Sequence, residues 1–351
     1  MTTRIAIIGA SGYTGGEALR LLAMHPRVEV VAATSREYAG KPVAAIHLNL
    51  RSVLGTMKFS ELNMEKIVSE AELVFLSVPA GVSHTMARRL VEAGVRVVDL
   101  SPDFRLRDPR LYEEWYGFTH GDPELLAESV YGLPEIHRDE IRNARVVACP
   151  GCNATAAILA LAPALREGLI DVEHIAVDVK VGSSEAGRQP SQGSHHPERA
   201  NVIRPYEAEG HRHVAEVEQE LSLLCGKRLQ IAMVPHAVGN VRGALATAHV
   251  WLSDSLDETT IWRAYARHYG KEPFIRIVRS GPVKYPDPKY VIGSNFCDIG
   301  FAVELSRRRA ALFAAIDNLM KGAAGQAVQC MNIMLGMDER EGLNMLPISP
   351  V

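Results

Sequence analysis

The sequence predicts an α/β protein, with a doubly wound parallel sheet followed by an α+β domain built on a mixed or antiparallel sheet. Three observations carry this reading. Short β-branched apolar runs alternate with helical stretches through residues 1–150. A glycine-rich turn directly follows the first of those runs. After about residue 170 the strand-like runs lengthen, and several alternate between apolar and polar residues.

The elements follow in order. RIAIIG (4–9), VEVVAAT (28–34), AELVFLSVP (71–79), VRVVDLS (95–101) and ARVVACP (144–150) read as strands. They are short, apolar and rarely alternating, as parallel strands covered on both faces must be. Helical candidates at 15–24 and 82–93 lie between them. Beyond them, 174–184, 229–237, 242–253 and 296–305 read as strands, with helices at 211–223 and 257–269 covering one face. Residues 311–336 are apolar and alanine-rich, which predicts one long buried helix interrupted near Gly322 or Gly325. Segments rich in Gly, Pro and Ser mark linkers at 185–205 and 281–295. The predicted division is a nucleotide domain, 1–150 completed by the C-terminal segment 311–351, and a second domain, 151–310, that also carries an oligomer surface. A length of 351 residues, long for one core, agrees with two domains.

Composition narrows the function classes. A content of 47% hydrophobic and 23% charged residues describes a soluble globular chain. A net charge of −3 gives no reason to expect nucleic acid or an anionic membrane. The start lacks the charged lead and apolar core of a signal peptide, and no apolar run approaches the ~20 residues of a membrane helix. Five cysteines, few and odd in number, fit a reducing cytoplasm better than a disulfide framework.

IAIIGASGYTGGEALRLL places Gly9, Gly12 and Gly15 between the first strand and the first helix. Such glycines let the backbone turn sharply and approach a pyrophosphate, whose charge meets the helix N-terminus. This is the start of a Rossmann-type unit, although the spacing is G-x-x-G-x-x-G rather than G-x-G-x-x-G; the alternative is a purely structural turn. The second strand ends AATSREYAG. An acidic residue there would grip a ribose 2′-OH. Ser35 and Arg36 stand there instead, and arginine suits a 2′-phosphate, which favours NADP(H). Glu37 follows and weakens the preference, and a solvated Arg36 is the alternative.

VVACPGCNATAAILAL holds Cys149 at the end of a strand and Cys152 at the start of a helix. Unpaired N–H groups and the macrodipole stabilise a thiolate at a helix N-terminus, so Cys152 reads as a single nucleophile and Cys149 as an inert buried residue. Two structural cysteines, or a redox or metal pair, are the alternatives; no second C-x-x-C recurs to complete a zinc site. A thiolate beside a nicotinamide suggests attack on an activated acyl carbon, a thioester, and hydride reduction to an aldehyde.

In EGHRHVAEVEQEL, His211, His213 and Glu216 fall in or just before the first turns of a helix, with His213 and Glu216 sharing a face. A histidine oriented by a carboxylate is a plausible acid/base, and an exposed helix start is the alternative. GSHHPERANVIRPY carries His195, His196, Arg199 and Arg204, a basic loop for an anionic substrate or partner, or simply a solvated one.

GASGYTGGEALRLL, VDLSPDFRL, CPGCNATAAI, PYEAEGHRHVAEVEQEL, HAVGNVRGALATAH and AIDNLMKGAAGQAVQ together resemble the N-acetyl-γ-glutamyl-phosphate reductase family over essentially the whole chain. That family is similar to aspartate-semialdehyde dehydrogenase in fold and chemistry. The resemblance implies NADPH-dependent reduction of an acyl phosphate to a semialdehyde, with phosphate release. It implies Cys152 as nucleophile and His211 or His213, with Glu216, as acid/base. Ser11, Gly12, Tyr13 and Thr14, with Thr34, Ser35 and Arg36, would hold NADP(H). Asn318, on a helix returning to the first domain, would sit near the nicotinamide. A homo-oligomer, tetramer or dimer, is also implied. Where arginine-pathway members usually read GCYPT, this chain reads GCNAT, and it carries SHHPERA. Both features resemble the branch acting on aminoadipyl phosphate, or glutamyl phosphate, attached to an acidic amino-group carrier protein, LysW. Asn153, Ser184, Arg188, His195, His196, Arg199 and Arg204 would then meet substrate or carrier. The rivals are free N-acetyl-glutamyl 5-phosphate as substrate, a non-catalytic NADP-binding sensor, and a C-x-x-C oxidoreductase.

Overall fold

A computed structural model describes residues 2–253, 256–279 and 283–351. The chain divides into two compact units, Met1–Pro150 with Ala323–Asn344, and Gly151–Gly322 with Met345–Val351.

The first unit is built on six parallel strands, β1 (Thr3–Ile8), β2 (Val28–Ala33), β3 (Leu73–Leu76), β4 (Arg96–Asp99), β5 (Val130–Tyr131) and β6 (Val146–Ala148), in the order β2-β1-β3-β4-β6-β5. All four residues of β3 are buried, which explains why its sequence shows no alternation. The helix Tyr13–Ala23 presents Ala18, Leu19, Leu21 and Leu22 to the core. The helix Gly325–Met334 is buried on every side and packs on Tyr13–Ala23, on Pro134–Asn143 and on β4.

The second unit carries a mixed seven-stranded sheet. Its strands are β7 (Ile170–Val181), β8 (Ile203–Pro205), β9 (Ala232–Val238), β10 (Ala244–Leu252), β11 (Ile275–Ile277), β12 (Cys297–Glu304) and β13 (Arg309–Ile316). The order is β11-β12-β13-β10-β7-β9-β8, with β7–β9 and β11–β12 parallel and the other pairs antiparallel. The helix Cys152–Arg166 lies on β7, β10 and β13, and the helices His213–Cys225 and Glu258–Tyr269 pack against it. Burial along β10 alternates, with Ala244, Ala246, Ala248 and Val250 facing those helices. Leu245, Thr247, His249 and Trp251 face the other way and stay partly exposed.

The expected single helix over 311–336 is corrected. Residues 309–316 are β13, paired with β10 and β12, and only 325–334 form the α-helix, after a π-helical turn at Met320–Ala324. RAALFAAI has the composition of a good helix, but between two strands and beneath a helix its small side chains fit a central sheet position, and tertiary packing overrides propensity. Residues 311–322 therefore belong to the second unit. The segment 185–205 is not a bare linker, since it contains the helix His196–Arg199 and the edge strand β8. Of the expected linker 281–295, residues 281 and 282 lie outside the described residues.

Candidate active site

In the first unit, β1 ends at Gly9, whose φ of +85° suits only glycine. A Cβ there would lie 2.1 Å from the Ser77 carbonyl oxygen. The loop is pinned from below: the Gly9 N–H donates to Thr34 Oγ1 (3.3 Å), and Ala10 N–H to the Thr34 carbonyl. Ser35 Oγ donates to Ser11 Oγ (3.0 Å), joining the loop to the end of β2. His47, absent from the sequence-level candidates, bonds the Ala10 carbonyl through Nε2 at 2.9 Å. Gly12 caps the first helix without a side-chain bond, so the amides of Tyr13, Thr14 and Gly15 form an open N-terminus. Tyr13 and Arg36 are exposed. This cradle fits a dinucleotide pyrophosphate, because nothing stands within 4 Å of where a Gly12 Cβ would be and no side chain caps the helix start. In the same unit Cys149 is buried, and the Arg105 Nε–H donates to its carbonyl (2.8 Å), bracing the end of β6.

In the second unit, Gly151 is the N-cap and Cys152 the first residue of the helix Cys152–Arg166. Cys152 is partly exposed, and its thiol lies 3.5 Å from Asn153 Oδ1. The Gly151 N–H donates to Glu216 Oε2 (2.9 Å), and the other carboxylate oxygen of Glu216 stands 3.9 Å from His213 Nε2. Glu216 is fully buried, so its carboxylate fixes the turn before the thiol and places a charge next to the imidazole. His213 packs so tightly on that turn that a Cβ on Gly151 would fall 2.2 Å from its Nε2. Any larger residue there would force the imidazole to move.

The two histidines occupy different surroundings. Their rings are 4.5 Å apart and nearly perpendicular. His211 accepts the His213 N–H at Nδ1 (3.2 Å), and burial, with Arg212 beside it, pushes its pKa down to about 4. It is a neutral imidazole at physiological pH, and of the two rings it is His213 that packs on the turn before Cys152. Tyr206, also missed from sequence, stands edge-on to His211. Its buried hydroxyl makes no hydrogen bond of normal geometry, and it lies close enough to Cys152 and Asn153 to feel both.

The remaining sequence candidates fall into two groups. Ser184 and Asn318 are buried together: Asn318 Nδ2 donates to Ser184 Oγ (2.9 Å), and its Oδ1 accepts the Gly243 N–H (2.8 Å). Asn318 thus lies on the turn after β13, not on a returning helix as expected. Arg188, His195 and His196 are exposed, and Arg204 is half-buried with its Nη2–H on the Gly193 carbonyl. Arg199 departs from the expectation of a rim residue, since it is buried. Among the described residues no group of three or more His, Cys, Asp or Glu side chains is placed to hold a metal ion, and no helix is long and apolar enough to cross a membrane.

Comparison with known proteins adds to this geometry. Residues 4–144 match the family of semialdehyde dehydrogenase NAD-binding domains, and residues 152–318 the family of semialdehyde dehydrogenase dimerisation domains. The chain is 55% identical over 347 residues to the [LysW]-L-2-aminoadipate/[LysW]-L-glutamate phosphate reductase of Saccharolobus solfataricus, covering 99% of this chain and 98% of that one. Its counterpart of the same name in Sulfolobus acidocaldarius is 56% identical, with 99% of each chain covered. Among solved structures, aspartate semialdehyde dehydrogenase II from Vibrio cholerae superposes with a TM-score of 0.71 at 19% identity, covering 96% of this chain and 99% of that one.

Proposed function

The chain belongs to the semialdehyde dehydrogenase family, and from that premise we propose that it reduces the acyl phosphate of a carrier-linked amino acid to the semialdehyde. The preferred substrate is LysW-bound aminoadipyl 6-phosphate, with LysW-bound glutamyl 5-phosphate as a second, in lysine and arginine biosynthesis. The observation that carries the chemistry is the Cys152–Gly151–Glu216–His213 arrangement. Cys152, its thiolate favoured by the helix N-terminus, attacks the acyl carbon; the C–O bond to phosphate breaks and a thioester forms. The bound dinucleotide supplies the hydride that takes the thioester to the aldehyde level. His213, held by Glu216, delivers the proton to the developing alkoxide and recovers it as the aldehyde leaves and the thiolate returns. Asn153 and Tyr206 flank the sulfur, where they can meet the acyl group. The carrier-bound substrate is supported by the relatives' names and by the exposed basic loop with Arg188, His195, His196 and Arg204.

The deciding assay runs in reverse, with phosphate and NADP, on carrier-linked and free N-acetylated semialdehydes. The carrier-linked substrate is expected to react far faster, and its KM to rise with added salt as an acidic partner is screened. Efficient turnover of the free substrate without regard to the carrier sinks this assignment and returns the enzyme to N-acetyl-glutamyl 5-phosphate.

We assign the cofactor as NADP(H). Arg36 is exposed at the end of β2 and makes no ion pair or hydrogen bond with a described residue, so its guanidinium is available to a 2′-phosphate. Arg36→Ala is expected to raise the KM for NADPH roughly 10–100-fold and to leave that for NADH nearly unchanged. Equal effects on both would remove the assignment. We retain Asn318 as a residue on the nicotinamide side, acting through its hold on Ser184.

Among the described residues the second unit's sheet carries its helices on the face of Ala244, Ala246 and Ala248, and we propose that another copy of the chain covers the opposite face, with Thr247, His249 and Trp251. The match to dimerisation domains supports this. Sedimentation equilibrium should give a multiple of 38.4 kDa; a single-chain mass would refute it. A cytoplasmic location agrees with five cysteines that are all free.

A further inference from the structure

Gly322 reads in the sequence only as an interruption of an apolar stretch. In the structure it stands inside the π-helical turn Met320–Ala324, and its φ lies outside the left-handed region that calls for glycine. Backbone freedom therefore does not account for it, and close approach does. A Cβ on Gly322 would lie 2.7 Å from the Cβ of Cys152 and 3.3 Å from its Cα. Those atoms belong to the first residue of a helix, so they cannot swing aside as the tip of a side chain can. The third neighbour, Ile316 Cδ1 at 3.3 Å, is such a tip. Bare backbone thus closes one side of the residue that carries the thiol.

One residue holds this turn in place. Asp317 is fully buried. Its carbonyl accepts the N–H groups of Met320 (3.1 Å) and Gly322 (3.0 Å), the second closing the wide ring of a π-turn, a rare form that recurs at functional sites. Its Oδ1 accepts the Leu319 N–H (2.9 Å). Its Oδ2 accepts the Gly293 N–H (2.8 Å) and pairs with Arg242 (3.2 Å). Cys152 and residues 317–322 belong to the same unit, so the anchor and the thiol share one rigid frame.

We propose that the turn 317–322 positions the nucleophile: Gly322 sets where the Cys152 sulfur stands, by backbone contact, and Asp317 acts through Gly322. Both are positioning residues, since one has no side chain and the other's is spent on the turn. This rests on the reading of Cys152 as the nucleophile. Relaxing a 2.7 Å approach to the 3.4 Å of ordinary contact needs a shift of roughly 0.7 Å, and misplacement on that scale costs an aligned reaction on the order of a hundredfold. A small alkylating reagent needs no such alignment, so thiol reactivity and turnover should part company.

The test follows three quantities: kcat for carrier-linked aminoadipate semialdehyde in the phosphate-dependent oxidation with NADP, dinucleotide affinity by fluorescence titration, and the rate at which iodoacetamide labels Cys152. In Gly322→Ala, kcat is expected to fall roughly 100-fold, with affinity held within about twofold and labelling within about threefold. Asp317→Asn adds no atom but removes the charge facing Arg242. It should lower kcat roughly tenfold with the other two quantities held, and it carries the test if the alanine chain does not fold. The double variant should lose little more than Gly322→Ala alone, because both changes act on one contact. A kcat within about threefold of wild type in either single variant overturns the proposal. So does a loss shared equally by all three quantities, which marks general loss of structure rather than of alignment. Cys152→Ser separates the premise from the proposal. If that chain still turns over, the nucleophile reading falls and takes the proposal with it; if it is inactive while Gly322→Ala is near normal, only the proposal falls. If the carrier-linked substrate does not react, N-acetyl-glutamate semialdehyde serves in the same comparison.

Discussion

Cys152→Ser is expected to lower turnover by roughly 10⁴-fold or more while leaving NADP binding within about twofold. A hydroxyl at a helix start stays protonated where a thiol ionises, so the geometry survives and the nucleophile does not. Steady-state kinetics with a fluorescence titration of the dinucleotide measures both quantities. The paired labelling experiment should agree: iodoacetamide at neutral pH should modify Cys152, which is partly exposed, well before Cys149, which is 1% exposed. A Cys152→Ser chain that still turns over would leave the dinucleotide-binding sensor as the better reading. Equal sensitivity to Cys149→Ser would revive the redox pair.

The second large effect is on the histidine. His213→Asn is expected to lower kcat by roughly 10²–10⁴-fold, the usual contribution of a positioned acid/base. His211→Asn should cost far less. The pH profile separates them: His211 has given up its proton by about pH 4, so it cannot supply a titration in the neutral range. A histidine-dependent limb of kcat at neutral pH must vanish with His213→Asn and survive His211→Asn. Glu216→Gln keeps an acceptor for the Gly151 N–H but removes the charge beside the imidazole, so its loss should fall between the two. If His211→Asn proves the crippling change, the roles assigned to these rings are reversed.

Much of this was legible in the residues, for identifiable reasons. The parallel strands could be read because both faces of β1, β3 and β4 are covered, which leaves an unbroken apolar run. The glycine turn after β1 could be read because glycine at a strand end has few other uses. Cys152 could be placed at a helix start because an alanine-rich stretch begins there. What escaped depended on long-range packing. The alanines of β13 carry no mark of the strands on either side of it. The spacing of His211 and His213 does not reveal that one is desolvated beside Arg212 while the other leans on Gly151 and Glu216. Arginine in a polar loop reads as solvated, and only the fold shows that Arg199 is enclosed. Tyr206 and His47 had no signal beyond their neighbours, because only tertiary packing sets one ring against His211 and bonds the other to the Ala10 carbonyl.

Gly151 bears on how tolerance to change would be distributed along this chain. It donates no side-chain chemistry, yet even the smallest replacement, a methyl group, would collide with the imidazole of His213. In a saturation library such a position would read as intolerant as Cys152 itself. A survey that ranks residues by their functional groups would pass over it, although a vacancy the size of one carbon atom is what lets the imidazole of His213 and the turn before Cys152 share a single corner of the molecule.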